Sequence, residues 1–412
     1  MREAVVNRFL HWFAVGLMSP VFILMIMSKG IALSQAGVAV AAMSAAVVLV
    51  ELPSGILADV LGRKRTYLFA LALAIAALAF LYFARGLAAV ALALAVYGAS
   101  RAISSGSIEA AFVDRHIERE GEGRLAPLMS AMNAAEAAGL ALGALAGGWI
   151  PSAWRAVAPG AGPYGGTILL QAAVLAALAL MTALSPTGRK RAPQRAESPA
   201  PLGFIGEAAA LIRRERPLAA LLVGAAAWGL AFGSVELFWQ PRFRAILGGP
   251  DAAETALGAL NAAYFGAAIA GSVLMGRLLA GPLARLLPRS RPLAAAAAGR
   301  ALSAGVLIAL APQSGPWGFA AAFTGLMLAN GMGGVAEATA FNERIPSERR
   351  ASFMSLSSLV MQLGGVASSL AFGAAAAFVP VGALWLAAAG ALGASAALYA
   401  GVKAPVQAVA RA

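Results

Sequence analysis

Six ionisable side chains stand inside otherwise apolar stretches of this sequence: Glu51, Arg101, Glu109, Glu136, Glu236 and Glu337. Charges in such surroundings are costly, so they point to ion pairs, proton relays or gates. Arg101 and Glu136 suit a relay: at 1.5 Å per residue they lie roughly 16 and 13 Å from the same end of neighbouring helices. Paired, the carboxylate stays ionised; separated in a low dielectric, it takes a proton. The same pair would serve equally as a static brace. Glu236 is the next acid able to carry a proton. Glu109 and Glu337 suit inner-gate acids, as does Glu51 in "VELPSG", one turn before Gly55. His11 titrates in the right range for a switch, but within one turn of a helix end it is more simply a wet histidine. Arg277 and Arg300 lie where a long side chain can snorkel to the surface.

The elements that must hold these groups follow from composition. The chain has 412 residues, 60% hydrophobic and 12% charged. A soluble domain is about a quarter charged, so the solvent for this surface is lipid. Apolar runs long enough to cross a bilayer lie near 9–27, 35–58, 66–84, 88–112, 127–150, 164–184, 218–240, 257–280, 293–311, 317–340, 351–374 and 378–402. These are the first to twelfth candidate spans. Their Ala and Gly content suits close helix packing in lipid. The weak ten-residue alternation of a transmembrane barrel is absent. The wall of a solute cavity is expected from Trp12, Phe13, Met18, Phe22, Met25 and Met27 on the first span. The seventh span would add Trp228, Phe232, Glu236, Phe238 and Trp239. Such adaptable apolar surface with an occasional acid fits hydrophobic or cationic compounds. Trp239 and Trp317 read equally as belt residues at the membrane interface.

The net charge of +13 does not mark a nucleic-acid binder, because the bases sort by loop rather than forming one patch. Of 31 Lys and Arg, only Lys29, Arg85, Arg155, Arg242 and Arg244 fall outside if the N-terminus lies inside, and Arg101 and Arg300 fall within spans. This positive-inside bias places both termini in the cytoplasm. The first run is long for a signal peptide and lacks its cleavage pattern. There is no cysteine, hence no disulfide, thiolate metal site or cysteine nucleophile. Only His11 and His116 exist, in unrelated places, and no HExxH or Walker motif appears. An integral membrane enzyme, ATP drive, a metal and a cofactor are therefore not expected.

One long polar stretch, Ser185 to Gly203, is basic, proline-rich and without apolar period, which reads as a linker. An amphipathic piece after it, "FIGEAAALIRRERP", would lie along the inner membrane face. The expected organisation is 1–184, a six-helix half; 185–216, a cytoplasmic linker; and 217–412, a second six-helix half. The halves echo each other. "GILADVLGRKR" from Gly55 lies over "GPLARLLPRSR" from Gly281 without a gap, and "GSIEAAFVDR" from Gly106 lies over "GVAEATAFNER" from Gly334 at nearly the same offset. Glu109 then lies over Glu337. Two matches at a common offset make duplication the economical explanation, and parallel six-helix repeats are a transporter architecture.

"GILADVLGRKR" resembles the signature between the second and third helices of the major facilitator superfamily. The topology resembles that superfamily over the whole chain. The resemblance implies an all-α membrane fold of two pseudo-symmetric six-helix halves working by alternating access. It also implies a conformational latch of Gly55, Asp59, Gly62, Arg63 and Asp114, the last being the acid at the inner end of the fourth span. In physical terms Gly55 permits close approach and Gly62 a tight turn. Asp59 can face a helix N-terminus, and Arg63 can pair with a carboxylate. The second copy lacks the acid, and "RAISSG" places its glycine one residue later than the superfamily's fourth-helix signature. In the fifth span "GLALGALAGG", with Gly139, Gly143, Gly147 and Gly148, resembles the glycine motif of drug–proton antiporters, with Ala144 where that motif has proline. Ordinary small-residue packing explains it equally. The resemblance thus implies proton-coupled efflux of the multidrug type. The expected partners are a small-molecule substrate, protons and lipid, with a monomer in a bacterial inner membrane. A proton-coupled or facilitated nutrient importer is the alternative.

Overall fold

The computed structural model describes residues 1–105, 107–121, 125–185, 216–248, 253–281, 291–343, 345 and 350–402. The side chains of 52, 53, 55–59, 291 and 350–352 fall outside that description. Most of the expected linker, the amphipathic piece after it and the second-half copy of the latch sequence lie outside the described residues. Among those described, the chain is helical throughout, and twelve stretches are long and apolar enough to cross a membrane.

The first span is α1 (Arg2–Met18) and α2 (Phe22–Ser28), joined by a 3-10 turn at Ser19–Val21. Pro20 explains the break, since it has no N–H and its ring clashes with the carbonyl four residues back. The second and third spans are α3 (Leu33–Leu61) and α4 (Arg63–Phe83). Gly62 between them has φ +85°, a left-handed conformation that explains glycine there. The fourth span is α5 (Gly86–Ser104) and α6 (Ser107–Glu120), longer than the apolar run alone suggests. The fifth and sixth are α7 (Leu125–Val157) and α8 (Gly165–Leu184). The second half follows as α9 (Arg216–Leu247), α10 (Ala253–Ala280), α11 (Arg291–Leu310), α12 (Pro316–Asn342), α13 (Arg350–Ala375) and α14 (Val381–Gly401).

The pairing of these helices repeats. In the first half the extensive contacts are α1 with α7, α3 with α5, and α4 with both α5 and α8. In the second they are α9 with α13, α10 with α12, and α11 with both α12 and α14. Counted by span, these are the same four pairings. The halves meet through α7 with α10 and α3 with α13, which exchange under the same correspondence. The fold is thus two pseudo-symmetric six-helix halves, with Arg2 and Gly401 at the same side, here called the terminus side.

Glycine sets the closeness of several contacts. A Cβ on Gly139, Gly143 or Gly147 of α7 would run into the backbone oxygen of Phe9, Phe13 or Leu17 of α1. Gly148 meets α10 instead, where a Cβ would stand 2.5 Å from the Glu254 carbonyl and 2.6 Å from Gly258 Cα. Aromatic side chains fill the second half: Trp239 stacks on Phe323 with centroids 4.9 Å apart and is fully buried. That corrects the interfacial reading of Trp239. Its position on α9 places it in the interior because the seventh span extends to Leu247, beyond the end read from the apolar run. Trp317 is 87% exposed, as an interface residue would be.

Candidate functional site

Charged side chains gather on the terminus side of the first half. Arg8, on α1, reaches two carboxylates at once. Its Nη1 donates to Glu109 Oε2 at 2.7 Å, while Nε and Nη2 donate to Glu136 Oε2 at 3.0 and 2.6 Å. All three are part-buried. Three helices, α1, α6 and α7, are therefore tied by one guanidinium whose planar donors suit such a fork. The guanidinium also lies 5.6 Å from the centre of the Trp12 ring. One cation between two anions leaves one negative charge over.

Arg8 and Glu109 of this triad line a cavity of about 220 Å³ that also takes in His11, Trp12, Arg101 and Phe112. Its polar wall is orientated by a relay. His11 Nδ1 is 3.1 Å from the Tyr67 hydroxyl, which lies 3.3 Å from Asn7 Oδ1, and Asn7 Nδ2 donates to Thr182 Oγ1 at 3.0 Å. Because the tyrosine donates to the amide oxygen, it accepts from the imidazole. Nδ1 therefore carries the proton and Nε2 is the acceptor. Arg101, on α5, is exposed into the cavity and makes no ion pair among the described residues. The expected Arg101–Glu136 pairing is not formed; Glu136 is taken by Arg8, which bonds it from α1 with two nitrogens.

The latch pair is formed. Arg63, the first residue of α4, donates from Nη1 to Asp114 Oδ2 at 2.6 Å, with both side chains partly exposed. Next to it Lys64 Nζ donates to the carbonyls of Ala183 and Ser185 at 2.9 and 2.7 Å. A lysine there caps the C-terminal end of α8, where a cation is favoured. Gly55 lies in α3, and the side chain of Asp59 is outside the described residues.

The second half holds its own charged group. Arg300 of α11 pairs with Glu337 of α12, its Nη2 donating to Oε2 at 2.5 Å, and Tyr399 of α14 donates to Oε1 at 3.3 Å. The guanidinium is 5.1 Å from the centre of the Trp228 ring, which stacks on Phe232 at 5.5 Å. Arg300 is 6% exposed, so it does not snorkel: a carboxylate and an aromatic face within reach hold it inside. Glu109 and Glu337 are each in the fourth span of their half and each carry an arginine, from the first span in one case and the third in the other. Glu236 lies beside the Tyr264 hydroxyl and the Trp239 indole. Met18 is buried in the core, and Phe22 packs against it, so neither faces the first-half cavity.

The halves are joined by polar contacts away from these clusters. Glu51 of α3 accepts from Gln362 Nε2 of α13 at 3.2 Å. On the side opposite the termini, Arg155 of α7 donates to both oxygens of Glu254 of α10 at 3.2 and 3.4 Å, and Tyr164 adds a bond at 3.4 Å. Glu254 is 1% exposed. Burial first, then the Glu254 charge, raises the Tyr164 pKa, which keeps this hydroxyl a donor. A second cavity of about 420 Å³ adjoins this bridge. Nearby, Gln240 of α9 enters the break in the first span. Its Oε1 accepts from Ile23 N at 2.8 Å and its Nε2 donates to Ser19 O at 2.9 Å.

Arg8, Arg155, Gln240 and Glu254 are the residues that sequence reasoning missed. Arg8 had a signal, since Arg8, His11 and Trp12 fall on one helical face at i, i+3 and i+4. The others join distant segments and carry no local pattern.

The family model for the Major Facilitator Superfamily matches residues 4–369. No curated protein matches the chain significantly. Among solved structures, a mutant of the nucleoside transporter NupG is similar with a TM-score of 0.77 at 13% identity, over 97% of this chain and 98% of that one. A bacterial homologue of the human lysosomal transporter Spinster, inward-facing and occupied, matches with a TM-score of 0.75 at 13% identity, over 96% and 94%. An auto-inhibited POT family peptide transporter gives 0.75 at 14% identity, over 100% and 98%.

Proposed function

The chain belongs to the Major Facilitator Superfamily, and from that premise we propose that it is a proton-coupled exporter of small amphipathic or cationic compounds. It is a multi-pass membrane protein and a secondary transporter of that superfamily's kind. The terminus side is taken as cytoplasmic, because the basic loops gather there, in a bacterial inner membrane. The protein then works as a monomer of two six-helix halves, 1–184 and 217–412, that rock about the contacts of α7 with α10 and α3 with α13. Arg155–Glu254 and Gln240 hold the far side shut, while Arg63–Asp114 braces the terminus side of the first half.

The observation that carries the proposal is the sharing of Arg8 by Glu109 and Glu136 beside a cavity. The surplus negative charge is neutralised by a proton or by a cationic group on the solute. Competition between the two for one carboxylate pair is the condition for exchange: the solute leaves as the proton enters. Arg300 with Glu337 is the second place where a proton would exchange for an ion pair. The glycines of α7 give export no support, since each meets a neighbouring backbone and is explained by packing. A nutrient importer is the second reading, favoured by the cavity volume, which falls below the roughly 300–1,000 Å³ of drug-sized sites.

Cells expressing the protein should accumulate less of a test amine than controls, and an uncoupler should abolish the difference. Accumulation above control that collapses with the uncoupler would establish the importer. Glu136→Gln should remove proton-driven movement while leaving solute exchange in place, whereas Glu109 lines the cavity, so Glu109→Gln should weaken solute exchange as well. A double variant that still pumps against a gradient would transfer the carrier's role to Glu236 or Glu337.

A further inference from the structure

The first-half cavity contains a charge that the proton-exchange reading does not use. Arg101 stands on α5 near the middle of the fourth span, exposed into the cavity. The two acids expected to approach it, Glu109 and Glu136, are both engaged by Arg8. An arginine at this depth is expensive unless something supplies a counter-charge. Among the described side chains nothing does.

We infer that Arg101 is an anion subsite, and that the cavity takes a small zwitterion whose carboxylate pairs with Arg101 while its ammonium faces Glu109. The inference rests on the reading of this cavity as the solute site. Two arginines and two carboxylates make the group neutral in total, yet its charges are separated. Arg8 with its two acids is net negative, and Arg101 is positive. The two charges come from different helices: Arg101 is in the last turn of α5 and Glu109 in the first turn of α6, and both line the cavity. A zwitterion satisfies both ends without carrying net charge into the membrane. A simple amine leaves Arg101 unpaired, and a simple acid leaves the triad's surplus charge unpaired.

The rest of the wall agrees with this division. His11 presents Nε2, an acceptor while the ring is neutral, beside the triad. Trp12, Ile108, Phe112 and Met132 supply apolar surface for the body between the charged ends. The Trp12 indole N–H is buried beside the cavity without a hydrogen-bond partner among the described residues. About 220 Å³ admits a compact solute with one ring or short branched chain.

The test uses purified full-length protein in detergent, with thermal unfolding followed by tryptophan fluorescence. The probes are ω-amino acids of graded chain length and the natural amino acids, together with the amine and the carboxylic acid that match each one. At least one zwitterion should raise the melting temperature at concentrations where its matched amine and acid do not. Arg101→Gln should weaken that zwitterion's binding by roughly thirtyfold or more, the loss expected when one partner of a buried charge pair is removed. Arg101→Lys should recover part of it. Equal stabilisation by amine and zwitterion, unchanged by Arg101→Gln, would overturn the anion subsite and leave proton-driven export of amines standing. No shift with any zwitterion would overturn it too, and the uncoupler experiment above would still judge export separately. Should Arg101→Gln not fold, the comparison of the three matched probes on the wild-type protein decides.

Discussion

Arg63 and Asp114 show what a partly exposed ion pair can and cannot do. At 2.6 Å with both side chains a third or more exposed, the pair contributes at most about 1 kcal/mol to stability. Its effect should therefore appear in rocking rather than folding. Arg63→Ala and Asp114→Asn should leave membrane expression near normal and cut transport; normal transport by both would remove the latch. Exchanging the two residues should restore part of the activity. Lys29, in the loop after α2, gives a pH signature. It is buried, and it donates to the Tyr82 carbonyl at 2.8 Å. Burial, then Arg85, lowers its pKa from 10.5 to about 8. Between those values the unfolded chain holds the proton and the folded protein has released it, so stability rises with pH. The wild-type melting temperature should gain on that of Lys29→Gln between pH 8 and pH 10. A constant difference would show that Lys29 does not titrate there. The pairing of Arg63 with Asp114 was implied by the family resemblance, which assigns Arg63 a partner at the inner end of the fourth span. Nothing local announced Arg8 as the partner of Glu109 and Glu136, since the choice between Arg8 and Arg101 is made by how α1 sits against α7.

At the scale of the element, the face that α7 turns to α1 is made by absence. Gly139, Gly143 and Gly147 repeat every four residues, and Gly16 answers from α1, so the two backbones meet without side chains between them. Dispersion and close packing, rather than the hydrophobic effect, hold such contacts in lipid. Gly143→Ala would put a methyl group against the Phe13 carbonyl and the Gly16 backbone, neither of which can rotate away. A loss of about 1–3 kcal/mol is expected from such overpacking, read as a lower melting temperature in detergent. An unchanged melting temperature would mean that α1 moves aside freely. Spans were the most legible elements, because a bilayer demands about twenty apolar residues and the chain shows them. Their ends were less so. The first span begins at Arg2 and the fourth, as α5 and then α6, continues to Glu120, since helical structure can extend beyond the membrane, and apolarity records only the part in lipid.

For the whole molecule, the repeated pairing of spans gives the two halves one design and the far-side bridge one task. Arg155 and Glu254 come from different halves, and Glu254 is almost fully buried. Glu254→Gln should loosen the closed far side. Cysteines placed at Leu24 or Met27, which line the adjoining cavity, should then label faster from that side. The chain's lack of native cysteine gives the measurement a silent background. Equal labelling rates would show that the bridge does not control access.

Gln240 gives that opening motion an unusual economy. In an unbroken helix the Ile23 N–H would bond to the Ser19 carbonyl, one turn back. The carboxamide of Gln240 stands between these two groups and bonds to each, like a removable link spliced into a chain. When the halves part on this side, the link withdraws, and Ile23 and Ser19 become free to close on each other. Neither backbone group is then stranded in a dry interior, and the amide that withdrew is met by water. On the proposed rocking motion the seam would exchange partners rather than lose them, and the first span would change its bend in the same step. Gln240→Leu takes the link away while the seam is shut, leaving both groups bare only in that state. The variant should therefore rest with its far side open, and a Met27 cysteine should label faster in it than in the unmodified seam.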